Sequence, residues 1–423
     1  MLEPHSKCPH YTCGLLWDDD DDTLSATAQW PLTAKAVPSV PQEEYKNRAA
    51  IETISSYPHL FKIITPIKVD CFQSLLTEHT NPALVESVCY SLHNGFWPQV
   101  NVHHQTYPIT WDNSQQPVKS NAEWDFIESQ ISKEVASGKY SKDFGPDFLP
   151  GMYHSPVHTV PKPGTDSLWL INDQSDGEFS PNSMISCEDI TGTCMDGIKS
   201  LRASLWAFHQ KHRGNVKLIM HKSDAQGAYN NIPMAHMWQP KQAVAFENQK
   251  HIDHWNCFGC RGSYCVYLAF ISLVCWIAHY MKGIEAVKCY INDNCSFVHL
   301  GDVKYYPKCW HYFPTDQTKL LELWDEIEQL HKEKKQIYGW VIPFIGFDID
   351  PNAMTVSIND EHKNNLLDNV CDFAKSGKHH SLKYFQSITG HVNWSPSPAQ
   401  ACTVHHLCQN GWENTVYGIH ICQ

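Results

Sequence analysis

Between Ile67 and Trp97 apolar positions recur at helical spacing. Phe72, Leu75 and Leu76 share one face, and after Asn81-Pro82 come Leu84, Val85, Val88 and Leu92. Asn81 as cap and Pro82 in the first turn open the second of these helices, and Asn94-Gly95 closes it. A third begins at the capping box Ser120-x-x-Glu123, sets Trp124, Ile127, Ile131 and Val135 on one stripe, and stops at Gly138. From Val157 onward short extended runs alternate with helices. Residues 157–160, 168–171 and 215–221 read as strands and 195–209 as a helix. An apolar helix from Tyr264, a strand pair at 287–291 and 296–300, a charged helix at 320–335 and a hairpin around 344–358 follow. That order predicts an α+β core with an antiparallel sheet. Residues 1–50 are polar, acidic and proline-bearing without sustained periodicity, and read as a disordered acidic tail.

Composition narrows the class. No stretch reaches the roughly 20 apolar residues of a membrane span, since the run at 267–281 is broken by His279 and stopped by Lys282. It reads as a buried helix, and no membrane partner is expected. The opening Met-Leu-Glu-Pro-His lacks the basic start and apolar run of a secretory signal, so an intracellular place, cytoplasmic or nuclear, is expected. Seventeen cysteines without regular spacing fit free buried thiols better than a disulfide framework.

The balance of 32 basic against 45 acidic residues, net -13, opposes a strongly adhesive nucleic-acid surface. Setting aside the five aspartates of Asp18–Asp22 still leaves eight negative charges. Cations do cluster locally, at Lys211, His212, Arg213 and Lys217, at Lys332, Lys334 and Lys335, and at Lys375, Lys378 and Lys383. Ordinary solvated surface is the competing reading of each. The arginines are Arg48, Arg202, Arg213 and Arg261, against 26 His, 17 Cys and 15 Trp. C-to-T change on either strand turns CGN arginine codons into Cys, Trp, His or Gln codons and aspartate codons into Asn codons. A silenced repeated element drifts this way, and a lineage-specific bias gives the same pattern.

Two carboxylates carry the chemistry. The strand at 215–221 runs into Ser223-Asp224-Ala225-Gln226-Gly227-Ala228-Tyr229, and Cys289-Tyr290-Ile291-Asn292-Asp293-Asn294-Cys295 has the form of a hairpin with a polar turn. Each alone is a weak signal. Together, a carboxylate at a strand end and another on a neighbouring hairpin are what a two-ion phosphoryl-transfer site requires, because hard Mg2+ or Mn2+ takes oxygen ligands.

Asp224 with Tyr229 five residues on resembles the first metal motif of reverse transcriptases, and Tyr290-Ile291-Asn292-Asp293 resembles their tyrosine-x-Asp-Asp hairpin. Further segments agree in order. Val160-Pro161-Lys162-Pro163 through Leu170-Ile171-Asn172-Asp173-Gln174-Ser175 is similar to the fingers hairpin, and Phe258-Gly259-Cys260-Arg261-Gly262-Ser263 to the template-side turn. Lys334 and Lys335 precede Phe344-Ile345-Gly346-Phe347-Asp348-Ile349-Asp350, similar to the hairpin that grips the primer. Gln386 to Trp394 resembles the thumb of DIRS-like retroelements carrying tyrosine recombinases.

The resemblance implies a right-hand polymerase core: a tail at 1–50, an N-terminal helical region at 51–140, fingers and palm at 141–360, and a thumb or connection at 361–423. It implies Asp224 and Asp293 as metal ligands for Mg2+ or Mn2+, with Asn292 beside them. It also implies Lys162, Lys335, Tyr229 and the Ala225 carbonyl at the incoming deoxynucleotide triphosphate. The partners implied are an RNA or DNA template with its primer. Two departures stand out: Asn292 replaces the first hairpin aspartate, weakening the ion site, and Trp169 replaces an arginine facing the triphosphate.

Two functions therefore stay open. One is templated DNA synthesis by an impaired, degenerate copy; the other is a non-catalytic nucleic-acid-binding or relic protein that keeps the fold. A zinc site at Cys257-x-x-Cys260 with Cys265, Cys289 and Cys295 is a lesser reading, because the later cysteines lack finger spacing. His5, Cys8, His10 and Cys13 form a similar cluster in the tail.

Overall fold

The computed structural model describes residues 10–11, 23–100, 106–113, 120–161, 167–190, 192, 194–213, 216–358, 360–375, 380–381, 384, 386 and 388. In chain order β1 (His10–Tyr11) precedes α1 (Ala26–Thr33), α2 (Arg48–Ser56), α3 (Val69–Ser74), α4 (Pro82–Asn94) and α5 (Asn121–Ala136). Strands β2 (His154–Ser155), β3 (Val157–Pro161) and β4 (Leu168–Asn172) follow, then α6 (Ile198–Lys211), β5 (Leu218–Ala225), β6 (Ala243–Phe246) and β7 (Gln249–Ile252). The helix α7 (Ser263–Trp276), prolonged by a π turn at Ile277–Met281, leads to β8 (Lys288–Tyr290), β9 (Asp293–His299), β10 (Val303–Tyr306) and β11 (His311–Pro314). Last come α8 (Thr315–Glu326), β12 (His331–Gly339), β13 (Ile342–Phe344), β14 (Phe347–Asp350), β15 (Thr355–Ile358) and α9 (Asp360–Phe373).

The class is α+β. Its central sheet runs β12-β5-β9-β8, antiparallel throughout, and a second sheet runs β1-β15-β14-β13. Behind the central sheet lies α7, apolar on every side, as a wholly internal helix must be. The 19-residue segment Ser263–Met281 is long and apolar enough to cross a membrane, but 78% of its most apolar window is buried inside the protein. Its neighbours in the core include Phe72, Leu84, Val88 and Leu92 of α3 and α4 and Leu320, Leu321 and Trp324 of α8.

Local chemistry sets the helix ends as the sequence predicts. The Asn81 side chain accepts from the Leu84 N–H and Ser120 from the Glu123 N–H. Gly95 ends α4 at φ +86, and a Cβ there would lie 2.4 Å from the Ala235 backbone, so both conformation and space require glycine.

Several expectations are corrected. Part of the segment read as a tail is folded: Ser25, Thr27, Ala28 and Glu44 are buried, and α1 packs on α7. It is an eight-residue helix with Pro31 inside it, and its contacts mix Thr27 and Ala28 with Trp30 and Leu32, which leaves no sustained hydrophobic period to read. The charged helix expected through Lys335 ends at Glu326, and residues 331–339 form β12 instead. The apolar period stops at Ile327, and Glu328 takes φ +56 before the chain turns to pair with β5. Sheet pairing there overrides the helix propensity of a Lys- and Glu-rich segment. The hairpin around 344–358 is a three-stranded meander, and the β6–β7 and β10–β11 hairpins were not anticipated. The thumb-like segment at 386–394, apart from residues 386 and 388, and the cluster His5, Cys8 and Cys13 lie outside the described residues.

The core holds unusual polar cargo. Burial pushes the His221 imidazole down to about 3 and His154 to about 4, both from 6.5, while it pushes the Asp253 carboxyl up from 3.8 to about 7. Below pH 6.5 the unfolded chain takes protons that the two folded histidines refuse, so stability falls with falling pH. Asp253 acts in the opposite sense between 3.8 and 7, because the folded chain retains a proton the unfolded chain sheds. His79, His236, His251 and His254 are lowered by burial as well and outnumber the raised carboxyls Asp253, Asp293 and Asp316, so the net effect is a rise in stability toward neutrality. Chemical unfolding followed by circular dichroism should therefore show greater stability at pH 6.5 than at pH 4. The reverse slope would mean that the histidines are not the dominant groups.

Candidate carboxylate site at the end of the central sheet

β5 and β9 pair in a register that sets Asp224 directly opposite Asp293, at the last residue but one of the first strand and the first residue of the second. The β8–β9 turn is formed by Ile291 and Asn292, since Tyr290 pairs with Asp293. Asp293 thus belongs to the strand and Asn292 to the turn, one residue earlier than an Asn-Asp turn implies. Ile291 is left-handed at φ +55, a costly conformation for a β-branched residue. The tip is held by its carbonyls: Ala225 N–H and the Asn294 amide donate to the Asn292 oxygen at 3.2 and 3.4 Å, and the Cys289 thiol to the Ile291 oxygen at 3.3 Å.

The carboxylates are already engaged. Lys335 Nζ lies 2.7 Å from Asp224 Oδ1, the Asn292 amide donates to Asp224 Oδ2 at 3.1 Å, and Lys222 Nζ lies 3.4 Å from Asp293 Oδ2. Burial raises the Asp293 carboxyl above its ordinary range, with Lys222 opposing and the Asp224 charge assisting. Two carboxylates and two ammonium groups sum to zero.

A pair of divalent ions needs an oxygen cage with surplus negative charge. Here three of the four carboxylate oxygens accept from protein donors, and Asn292 turns its NH2 rather than its oxygen toward Asp224. No group of three or more His, Cys, Asp or Glu able to hold a metal ion occurs among the described residues. The residues present do not fit a two-ion site.

The other sequence-derived residues divide. Ala225 is buried beside the pair. Lys335, expected at a nucleotide, is an ion-pair partner of Asp224. Tyr229 is buried, its ring 4.9 Å from Phe258 and 5.4 Å from Tyr267, and burial pushes its hydroxyl up to about 12. Trp169 is half-exposed on β4, where it pairs with Val160 of β3. Lys162, Lys378 and Lys383 lie outside the described residues, and Lys375 pairs with Asp372 at 2.9 Å.

The 258–263 turn is locked to the β3–β4 region. Asn182 donates to the Gly259 carbonyl at 2.8 Å and accepts from the Arg261 N–H at 2.6 Å. Cys257 and Cys260 are buried free thiols raised by burial, and Cys257 accepts from the Gln174 amide. Lys222 escaped notice in the sequence. The signal was present, because alternate residues of a strand share a face and Lys222 stands two before Asp224.

Fold and site together define an α+β protein with an internally neutralised carboxylate pair at the end of an antiparallel sheet. No family model matches the chain, and no curated protein does. Among solved structures it is similar to the foamy viral protease-reverse transcriptase dRH in complex with ds DNA, at 15% identity and TM-score 0.46 over 81% of this chain. It is likewise similar to foamy viral protease-reverse transcriptase in complex with dsDNA (14%, 0.43, 79% of this chain) and with RNA/DNA hybrid (16%, 0.45, 81% of this chain). The chain spans 55%, 64% and 42% of those three chains.

Proposed function

We propose that this chain is a reverse transcriptase-like protein, derived from a retrotransposon, that keeps a primed-template-binding polymerase fold and has lost most of its templated DNA synthesis. The observation that carries the reading is the register of Asp224 with Asp293 across two antiparallel strands. Such a pair is the minimum from which a phosphoryl-transfer site is built. The non-catalytic side of the reading is favoured by Asn292 in the turn and by Lys222 and Lys335 on the carboxylates. The scarcity of arginine supports a degenerate origin.

The test is binding of a primed RNA or DNA template to the intact protein at increasing salt, paired with primer extension in Mg2+ and deoxynucleotide triphosphates. Binding should fall steeply with salt, as backbone recognition requires, without measurable extension. Absence of binding at low salt removes the polymerase reading. Robust extension by the unaltered protein removes the impairment.

A further inference from the structure

The β10–β11 hairpin is aromatic on both faces, although only one face serves the fold. Its register pairs Tyr305 with Tyr312 and Tyr306 with His311. Tyr306 and Phe313 point inward, 1% and 3% exposed, into the cluster containing Leu320 and Trp324 of α8. That face accounts for the hairpin's stability. The outer face carries Tyr305 and Tyr312, exposed, with ring centroids 5.2 Å apart. At the tip Trp310 is 84% exposed and left-handed at φ +51, where glycine or asparagine would cost less.

Folding gives no reason for these three outer rings, and single-strand recognition does. Base faces stack on exposed aromatic side chains in a sequence-tolerant way. Val303 to Pro314 contains Lys304, Lys308 and His311 and no carboxylate; the register turns Lys304 and His311 to the face of Tyr306 and Phe313, and Lys308 stands beside the tip. Lys304 pairs with Glu322 at 2.6 Å and Lys308 with Asp325 at 2.7 Å, both on α8. The Lys304–Glu322 pair is exposed on both sides and contributes little, and Asp325 keeps the Tyr306 hydroxyl at 2.7 Å and His331 Nε2 at 3.0 Å when Lys308 turns to a phosphate. The platform is also braced, because His311 Nε2 lies 2.9 Å from the Tyr338 hydroxyl of β12.

We propose that the outer face and tip of this hairpin, Tyr305, Trp310 and Tyr312, form a stacking platform for a single-stranded polynucleotide. The interior of a duplex cannot use it, because there the base faces are covered by one another, and a duplex offers at most its two end faces. The proposal does not depend on whether the carboxylate site works.

The test is fluorescence anisotropy of the intact protein with a labelled oligothymidylate of about 12 nucleotides, within the site sizes such platforms cover, and with a duplex of the same length. Trp310→Leu and Tyr312→Leu should each weaken single-strand binding at least about fivefold, whereas Trp310→Phe and Tyr312→Phe, which keep a ring, should stay within about twofold. Binding of the duplex, measured with both ends closed by hairpin loops, should change by less than about twofold in all four variants. Leucine variants that bind as well as the phenylalanine ones overturn the proposal, as does a wild-type protein that binds the single strand no better than the duplex. Sedimentation showing a dimer that Trp310→Lys dissolves would assign the face to a second copy of the chain and overturn it too. Loss of duplex binding alone would count against the polymerase reading and leave this one standing.

Discussion

Primer extension in Mg2+ should rise at least about 100-fold when Asn292→Asp is combined with Trp169→Arg, and less than about tenfold with either change alone. The argument is electrostatic. A transferring phosphoryl group spreads negative charge, and one well-placed stabilising group is typically worth about 2.7–4 kcal/mol, or 10²–10³ in rate. Asn292 contributes an amide whose NH2 donates to Asp224, so the site lacks a charge and an oxygen at one position. Trp169 contributes no cation on the β3–β4 hairpin. On the proposed polymerase reading both losses bear on one transition state, so repair of one leaves the other limiting. The Lys335–Asp224 pair is a further obstacle: the lysine side chain is 42% exposed and the carboxylate 18%, so an incoming ion has to displace the ammonium from a half-buried oxygen. A readout independent of activity is Mn2+ binding followed by electron paramagnetic resonance. Asn292→Asp should bind Mn2+ more tightly than wild type, and equal binding would show that Asn292 is not what weakens the site.

The second large effect is on stability. Glu44→Gln should cost about 3–5 kcal/mol of unfolding free energy, while Glu44→Leu with Lys241→Met should recover most of that loss. Glu44 Oε2 and Lys241 Nζ lie 3.0 Å apart with both side chains almost wholly buried, and the ammonium sits 5.4 Å and 5.6 Å from the ring centroids of Trp97 and Trp238. Burial lowers the Lys241 pKa, with Glu44 opposing. Removing one partner strands an uncompensated charge in a dry interior, whereas removing both leaves apolar groups in apolar surroundings. Urea unfolding of the three proteins is the measurement. A single variant as stable as wild type would mean that water reaches Lys241 and that the 44–46 turn is not tied to the core.

Glu44 also marks where the sequence could be read and where it could not. Helices built on a repeating apolar face with caps, such as α4 and α5, were legible because periodicity and end chemistry agree at Asn81, Gly95 and Ser120. So was the pairing of the two aspartate segments, since a strand end and a hairpin leave short-range marks. The folded stretch from residue 23 was not, because α1 is eight residues long with Pro31 inside it and docks through Ser25, Thr27 and Ala28 together with Trp30 and Leu32, too short and mixed a run to show a period. β12 was not, because its Lys- and Glu-rich sequence favours helix and only the neighbouring β5 makes it a strand. The neutral state of the carboxylate pair was hidden for a related reason: Lys335 lies 111 residues from Asp224 and reaches it only through the β12–β5 register.

Self-neutralisation of that pair has a consequence for how the gene can drift. In a sheet whose facing aspartates repel unless an ion is bound, loss of the ion is felt as misfolding, and damage to the site is removed along with the misfolded chain. Here the counter-charges are covalently part of the chain, so the sheet closes with or without a divalent ion. On the proposed reading, a substitution such as Asn292 then costs nothing in abundance, and selection for a folded product does not by itself protect phosphoryl-transfer chemistry at this position.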